Sequence, residues 1–317
     1  MRRPLTVAFI DHVHGNHQWV IDALSLHYDV RVDTASPEVV ICGEDRSYQY
    51  RGYPDALKIW IQHENRYPDF HTYHYVIGYR YIEHPRWFRE PLYTRTCRAE
   101  QLIKDADFVE RTLREKTRFC CIVNTYANPV RVWRRLKLVD MLDAYTPMDF
   151  GGRWRNNVGG PVVEKLPFYK PYKFAVAIDN GCMSGYTTEK ITDAFMMGCI
   201  PIFLGNADVV REFNPKSFVN AHECRTLEEV VERVVAIDRS EALYRAMLAE
   251  PWFHDNRPNE VFNPVHLAAF LQRAIESPRP PLYPVYPQYR FFDWTRKATF
   301  YLDYLLGKAG IRMWGPV

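Results

Sequence analysis

Between Lys173 and Gly205 the chain reads KFAVAIDNGCMSGYTTEKITDAFMMGCIPIFLG. Two short apolar runs, Phe174–Ile178 and Ile200–Leu204, enclose a segment in which Ile191, Ala194, Phe195 and Gly198 recur at helical spacing. Apolar runs without polar alternation belong to strands buried on both faces, as in a parallel sheet. The stretch therefore reads as strand, polar loop, helix and strand, with one helical face packed on the sheet. The helix opens at Thr188-Glu189-Lys190. A cation in a first turn opposes the positive end of the helix dipole by roughly 0.3–1 kcal/mol. The opposition turns favourable when an anion such as phosphate docks there, because free N–H groups and the lysine then share it. The alternative is a solvated surface lysine.

At 317 residues the chain is long enough for two domains, each with its own core. A hydrophobic fraction of 47% with 25% charged residues describes a globular protein and excludes a disordered one. The net charge of +3 implies no nucleic-acid partner through bulk electrostatics. Cysteines 42, 97, 120, 121, 182, 199 and 224 form no CxxC pair and read as reduced thiols of a cytoplasmic protein. The N-terminal apolar stretch is broken by Asp11 and reads as a first core strand, not a signal peptide. No apolar run approaches the roughly 20 residues that span a bilayer.

The pattern predicts strands at Leu5–Ile10, Val39–Cys42, Leu57–Gln62, Tyr75–Gly78, Phe119–Val123, Met148–Phe150 and Ser217–Asn220. Helices are expected at Gln18–Leu26, Ala99–Lys116, Leu227–Ile237 and Ala242–Glu250, and at Val130–Leu142 behind an Asn128-Pro129 start. Strands alternating with helices twice over predict an α/β fold of two doubly wound, Rossmann-like domains facing a cleft. Residues 1–117 form the first and 118–277 the second. Residues 278–317 form a proline-rich linker and a basic, aromatic C-terminal helix. On that helix Phe291, Trp294, Ala298, Tyr301, Leu302 and Leu305 share a face, which either lies in a membrane interface or packs on the first domain.

Ligands of open α/β sheets bind at the carboxyl ends of strands. Four polar clusters fall there: His63-Glu64-Asn65, Asn124 to Arg131, Gly151 to Asn156, and Asp179 to Lys190. Three lie in the second domain and carry Arg131, Arg155 and Lys190, which points to a polyanionic ligand whose partner is a carboxylate of the first domain. Transfer from an activated sugar diphosphate fits this set. Arginine and lysine supply the positive charge that a leaving diphosphate needs without a metal. Glu64 is the carboxylate placed to deprotonate an acceptor hydroxyl, against the alternative of a capping or surface glutamate. Asp105-Ala106-Asp107 has the spacing of a metal–diphosphate motif but falls in a charge-laced helical stretch and reads as its solvated face. His12, His14 and His17 follow the first strand. An H-x-H there occurs in barrel hydrolases, which need further ligands at later strand ends, and only His63 adjoins one. The loop is read as lining the cleft.

The motif AIDNGCMSGYTTEKITDAFMMGCIPIFLGNADVVREFNPKSFVNAHEC, with NTYANPVRVWRRL, FGGRWRNNVG and WIQHENRYPDF, resembles glycosyltransferase family ten. These are the α-1,3/4-fucosyltransferases, here of the bacterial soluble type, and the similarity spans roughly residues 57–225. The resemblance implies a GT-B fold, GDP-L-fucose as donor, and inversion without an obligatory metal, a divalent ion being at most stimulatory. By position it makes Glu64 the general base, Arg155 and Lys190 diphosphate contacts, and Glu189 a contact to the donor's ribose or fucose. Tyr186 and Asn180 line the donor pocket, and Asn124 and Arg131 also match. Where the family has F-E-N this chain has Ile178-Asp179-Asn180, so Asp179 is a donor-side residue one methylene short. His12, His14, His63 and Asn65 are assigned to the acceptor side. The expected activity is inverting α-1,3-transfer of L-fucose to a GlcNAc-containing glycan of N-acetyllactosamine or O-antigen type, giving a Lewis-type product. Alternatives are a GT-B enzyme with another nucleotide sugar or acceptor, and a glycan-binding module on an inactive transferase. The expected location is cytoplasmic, with the C-terminal helix a candidate for peripheral contact at the inner membrane face.

Overall fold

The computed structural model describes residues 2–11, 17–44, 48–64, 66, 68–125, 129–282, 302 and 305. They divide into two compact units, one built from Met1–Thr96 and a returning segment that starts at Asn259, the other from Cys97–Pro258. In chain order the first unit contains β1 (Arg3–Ile10), α1 (Gln18–Ser25), β2 (Tyr28–Val32), β3 (Val39–Cys42), β4 (Leu57–Gln62), β5 (Tyr75–Gly78) and β6 (Trp87–Arg89). Its strands pair in parallel in the order β2-β1-β3-β4-β5-β6. Every residue of β3, β4 and β5 is buried, so these runs show no polar alternation. β2 has one buried residue in five, Tyr28, and its polar composition conceals it in the sequence. One face of the sheet packs Leu5, Val7, Ile41 and Ile59 against Val20, Ala23 and Leu24 of α1. The other packs Ala8, Val40, Trp60 and Val76 against Ala56, Phe70 and Tyr73, which come from irregular chain instead of the helix a doubly wound domain predicts.

The second unit runs α2 (Phe108–Glu115), β7 (Arg118–Ile122), α3 (Pro129–Tyr145), β8 (Asp149–Phe150), α4 (Lys165–Tyr169), β9 (Tyr172–Ile178), α5 (Glu189–Met196), β10 (Ile200–Leu204), β11 (Val219–Asn220), α6 (Leu227–Arg239) and α7 (Glu241–Ala249). Its parallel sheet has the order β11-β10-β9-β7-β8. The chain leaves β7 toward one edge and returns to build the other, so a topological switch point lies between β7 and β9. Leu138, Val139 and Leu142 of α3 with Val230 and Val234 of α6 cover one face. Tyr169 of α4 and Ala194 of α5 cover the other.

The boundary expected near residue 117 falls at Thr96/Cys97 instead. Phe108 meets Trp252 edge-on at 5.0 Å, and Lys104 Nζ donates to the Leu248 carbonyl at 2.6 Å, which ties this segment to the second unit. The chain then returns. Helix α8 (Pro264–Glu276) packs Leu267, Ala268, Phe270, Leu271 and Ala274 into the core of the first unit, although its position in the sequence assigned it to the second. The long helix expected over Ala99–Lys116 is divided into a 3-10 turn at Ala99–Leu102 and α2. Asp105, Ala106 and Asp107 are exposed in the turn between them, with Asp105 paired to Arg111 at 3.0 Å, so they are not on a helix face. None of the seven cysteines forms a disulfide, and only Cys182 is exposed. No helix among the described residues is long and apolar enough to cross a membrane. The aromatic face expected near the C-terminus lies outside the described residues except for Leu302 and Leu305, both helical and exposed.

Gly198 ends α5 with φ +67°, its N–H donating to the Phe195 carbonyl at 2.8 Å while Cys199 N–H reaches Ala194 at 2.9 Å. A Cβ at this position would lie 2.8 Å from Thr112 Cγ2 on α2. Gly198→Ala is expected to cost roughly 1–2 kcal/mol from the left-handed backbone alone. Calorimetry should then show a melting temperature lowered by about 3–6 °C; an unchanged value would contradict this account of the helix end.

Candidate functional site

The carboxyl end of β9 delivers Asp179 to the switch point, its N–H donating to the Leu204 carbonyl of β10 at 3.0 Å. The Asp179 side chain has no solvent exposure. It accepts a short hydrogen bond from the Thr188 hydroxyl and a longer one, 3.4 Å, from the Thr188 N–H. Lys190 Nζ lies 3.7 Å from Asp179 Oδ1 and 3.1 Å from Thr188 Oγ1. Thr188 is also the N-cap of α5, accepting from Lys190 N–H at 3.4 Å. The first-turn lysine is therefore matched by carboxylates on two sides, since Glu189 Oε1 is 3.6 Å from its Nζ. Asp179, expected on the donor side, lies behind the helix start and fixes it through Thr188 and Lys190. Gly205 makes this possible: a Cβ there would stand 2.7 Å from Asp179 Oδ2.

Burial pushes the Asp179 carboxyl up to about 6, with Lys190 and the Thr188 hydroxyl opposing the rise. For Glu189 burial acts in the same direction, but Lys190 and Lys165 outweigh it and hold the carboxyl below its ordinary range. Lys165, from α4, lies 3.7 Å from Glu189 and 2.6 Å from Asp193 Oδ2. Lys190 keeps 18% of its side-chain surface exposed. Tyr186 is buried and Asn180 exposed. The loop between them is organised by Asn206, fully buried after β10: its Oδ1 accepts from Gly185 and Asp208 N–H at 2.9 Å, and its Nδ2 donates to Thr187 Oγ1 at 3.0 Å. Asn206 and Lys165 were missed in the sequence. Asn206 also follows a strand end, so the rule that picked out Asp179 could have found it.

At the end of β7, Asn124 meets the loop after β8. Trp154 N–H donates to the Asn124 carbonyl at 3.1 Å, and a Cβ on Gly152 would fall 1.9 Å from that oxygen, so only glycine fits. Asn156 and Asn157 close the loop onto the Phe150 backbone, at 3.1 Å through Asn156 Nδ2 and 2.7 Å through Asn157 Oδ1. Arg155, at φ +52°, is exposed, pairs with Asp140 Oδ1 of α3 at 2.5 Å, and lies over the Trp154 ring at 4.7 Å. Arg131 falls within α3, and its side chain lies outside the described part.

In the first unit β4 ends at Gln62, and His63 and Glu64 follow it. Glu64 is exposed, whereas His63, expected on the acceptor side, is only 3% exposed. His12, His14 and Asn65 lie outside the described residues. His17 stacks on Phe9 with ring centroids 4.2 Å apart. One carboxylate that the sequence did not single out stands beside Glu64: Glu44, just past β3, accepts the N–H groups of His63 and Glu64 on a single oxygen, the latter at 2.7 Å. Its signal is the same, an acidic residue immediately beyond a buried strand.

Residues 113–268 match the model of glycosyltransferase family 10 (fucosyltransferase), C-terminal part, and residues 6–95 match the alpha-(1,3)-fucosyltransferase FucT N-terminal domain. The chain is 29% identical over 227 residues to alpha-(1,3)-fucosyltransferase FucT of Helicobacter pylori, covering 62% of this chain and 48% of that protein. It is 33% identical over 92 residues to alpha-(1,3)-fucosyltransferase B of Drosophila melanogaster, 29% of this chain and 20% of the relative. The chain thus spans about half or less of the curated relatives it matches. Among solved structures, an alpha1,3-fucosyltransferase with GDP-fucose superposes with a TM-score of 0.74 at 24% identity, over 90% of this chain and 94% of that one. An alpha1,3-fucosyltransferase with GDP gives 0.71 at 25% identity, over 87% and 91%.

A carboxyl raised to about 6 when folded keeps its proton while the unfolded chain, near 3.8, has lost it. Its contribution to stability is complete below the unfolded value and declines as pH rises through the folded one, by on the order of 2–3 kcal/mol in all. Asp179→Asn removes this titration. Urea unfolding at pH 4, 5, 6 and 7 should show the variant gaining on the wild type as pH rises toward 6.5; a pH-independent difference would refute the assignment.

Proposed function

The chain belongs to glycosyltransferase family 10, the fucosyltransferases, and on that basis we propose that it transfers L-fucose from GDP-L-fucose to a hydroxyl of a GlcNAc-containing glycan. The observation that carries the proposal is Lys190, partly exposed at the N-terminus of α5 and at a topological switch point. Free N–H groups and a held ammonium there suit a diphosphate. Lys190 carries its ammonium on a four-carbon stem whose direction is fixed by Thr188 Oγ1, at 3.1 Å, and by the Asp179 carboxylate.

The transfer inverts the anomeric carbon. The acceptor oxygen forms its bond to that carbon as Glu64 takes the hydroxyl proton, and the bond to the diphosphate oxygen breaks with its electron pair leaving on GDP. Negative charge grows on the β-phosphate as the bond lengthens. Lys190 and the α5 N–H groups oppose it, and Arg155 joins by exchanging Asp140 for phosphate. Glu189, held ionised between Lys165 and Lys190, accepts hydroxyls of the ribose or fucose. Asn180, Tyr186, Asn124 and Arg131 complete the donor set. Positive side chains can neutralise a leaving diphosphate without a metal, so we propose that no divalent ion is obligatory. The α-1,3 linkage, the Lewis-type product and a cytoplasmic location belong to the same proposal. The related alpha-(1,3)-fucosyltransferases support the linkage, and seven thiols outside disulfides support the location.

Incubation with GDP-fucose and a panel of type 1 and type 2 disaccharides should give an α-1,3-fucosylated product, with EDTA leaving the rate within about twofold if positive side chains suffice. Glu64→Gln should lower kcat by roughly 10²–10⁴-fold with GDP affinity kept. Lys190→Ala should weaken GDP binding by roughly 10–100-fold, the effect of one charge-assisted contact. Wild-type transfer by Glu64→Gln would remove the base assignment. Thermal stabilisation by UDP-sugars in place of GDP-fucose would move the protein to another donor.

A further inference from the structure

We propose that Glu44 is a positioning residue that holds the backbone carrying Glu64, so that the aim of the base is set from the neighbouring strand. This inference rests on the reading of Glu64 as the base. Parallel strands β3 and β4 pair with Cys42 beside Trp60, so the residues beyond their carboxyl ends come side by side. Glu44 reaches across and places one carboxylate oxygen on the successive N–H groups of His63 and Glu64, the latter at 2.7 Å. Its other oxygen is buried without a hydrogen-bond partner. Burial pushes the Glu44 carboxyl above its ordinary range, and the two N–H groups it accepts, with the Arg66 charge on the same loop, oppose the rise. A charged group kept in a half-dry position and directed at two amides is poor core material, since hydrophobic residues would serve packing without the desolvation cost.

The mount is stiff. Gly43 N–H donates to the Ile10 carbonyl at 2.9 Å, and the buried Trp60 indole donates to the Gly43 carbonyl at 3.0 Å. Glu44 therefore starts from backbone tied to β1 and β4. On the other side of Glu64, its carbonyl accepts from Gln62 Nε2 at 3.3 Å and from Arg66 N–H at 2.7 Å. Both backbone polar groups of the base residue are thus held while its carboxylate stays exposed. Removing the Glu44 carboxylate orphans two N–H groups at a solvent boundary, and the loop must turn to hydrate them. Displacement of a catalytic group by about 1 Å costs on the order of a hundredfold in rate.

The test is a double-mutant cycle assayed with GDP-fucose and N-acetyllactosamine on Glu44→Ala, Glu44→Gln, Glu64→Gln and the double variant of Glu44→Ala with Glu64→Gln. Glu44→Ala should lose kcat on the order of a hundredfold with GDP affinity unchanged. Glu44→Gln, whose amide oxygen can still accept both N–H groups, should stay within about tenfold of wild type. The double variant should be no slower than Glu64→Gln alone, because Glu44 acts only through Glu64. Wild-type kcat in Glu44→Ala beside a slow Glu64→Gln would overturn the inference, as would losses that multiply in the double variant. A fast Glu64→Gln would instead overturn the base reading itself, and the positioning role with it. If Glu44→Ala does not fold, Glu44→Asp, which keeps the charge and withdraws the oxygen by one methylene, enters the same cycle under the same criteria.

Discussion

A carboxylate without solvent exposure at the end of β9 governs the second unit. Asp179 gathers the hydroxyl and N–H of Thr188 and the ammonium of Lys190, and so couples a strand end to the first turn of α5. Left alone, a buried charge of this kind would be neutralised or expelled. Here the N-cap, the lysine and the space left by Gly205 are arranged to keep it, and the start of the helix is set by them. Lys190 is accordingly not an exposed cation opposing a dipole. It is directed, partly desolvated, and held between Asp179 and Glu189.

The same device recurs in the first unit with a different donor set. Glu44 uses a carboxylate on one strand end to fix the backbone of the next, as Asp179 fixes the turn before α5. In both cases a carboxylate beyond a strand end holds the backbone or side chain of a neighbouring polar residue. Around β7 and β8 the work is done without charge. Gly152 permits contact with the Asn124 backbone, and the side-chain amides of Asn156 and Asn157 close the loop that presents Arg155. Functional loops on parallel sheets need such internal ties, because backbone beyond a strand end has lost its ladder partners.

Much of the architecture is legible in the apolar runs. β3 and β10 consist of apolar residues throughout, and β4 and β5 are mostly apolar runs broken by Lys58, Gln62 and Gly78, since strands buried on both faces favour such residues. β2 is invisible for the opposite reason: four of its five residues are not buried, and among the described strands it pairs with β1 alone. The segment 97–117 and α8 were assigned by position along the chain. Contacts made far away decide their allegiance, Lys104 and Phe108 with the Leu248–Trp252 region and Phe270 with Tyr75. Periodicity reports that a helix has an apolar face and is silent about which sheet receives it.

The sequence by itself determined the two parallel-sheet units, the strand ends at which polar residues collect, and the family motif around Lys190, because each is written in residues close together along the chain. The tertiary structure alone decided which of those polar residues meet solvent. Asp179 and Glu189 lie ten positions apart in one motif, yet one side chain is sealed and raised in pKa while the other stays partly exposed and ionised. The difference comes from Gly205, Thr188 and Lys165, brought in from β10, the N-cap of α5 and α4. Desolvation depends on what surrounds a group in three dimensions, and no local pattern of residue types encodes it.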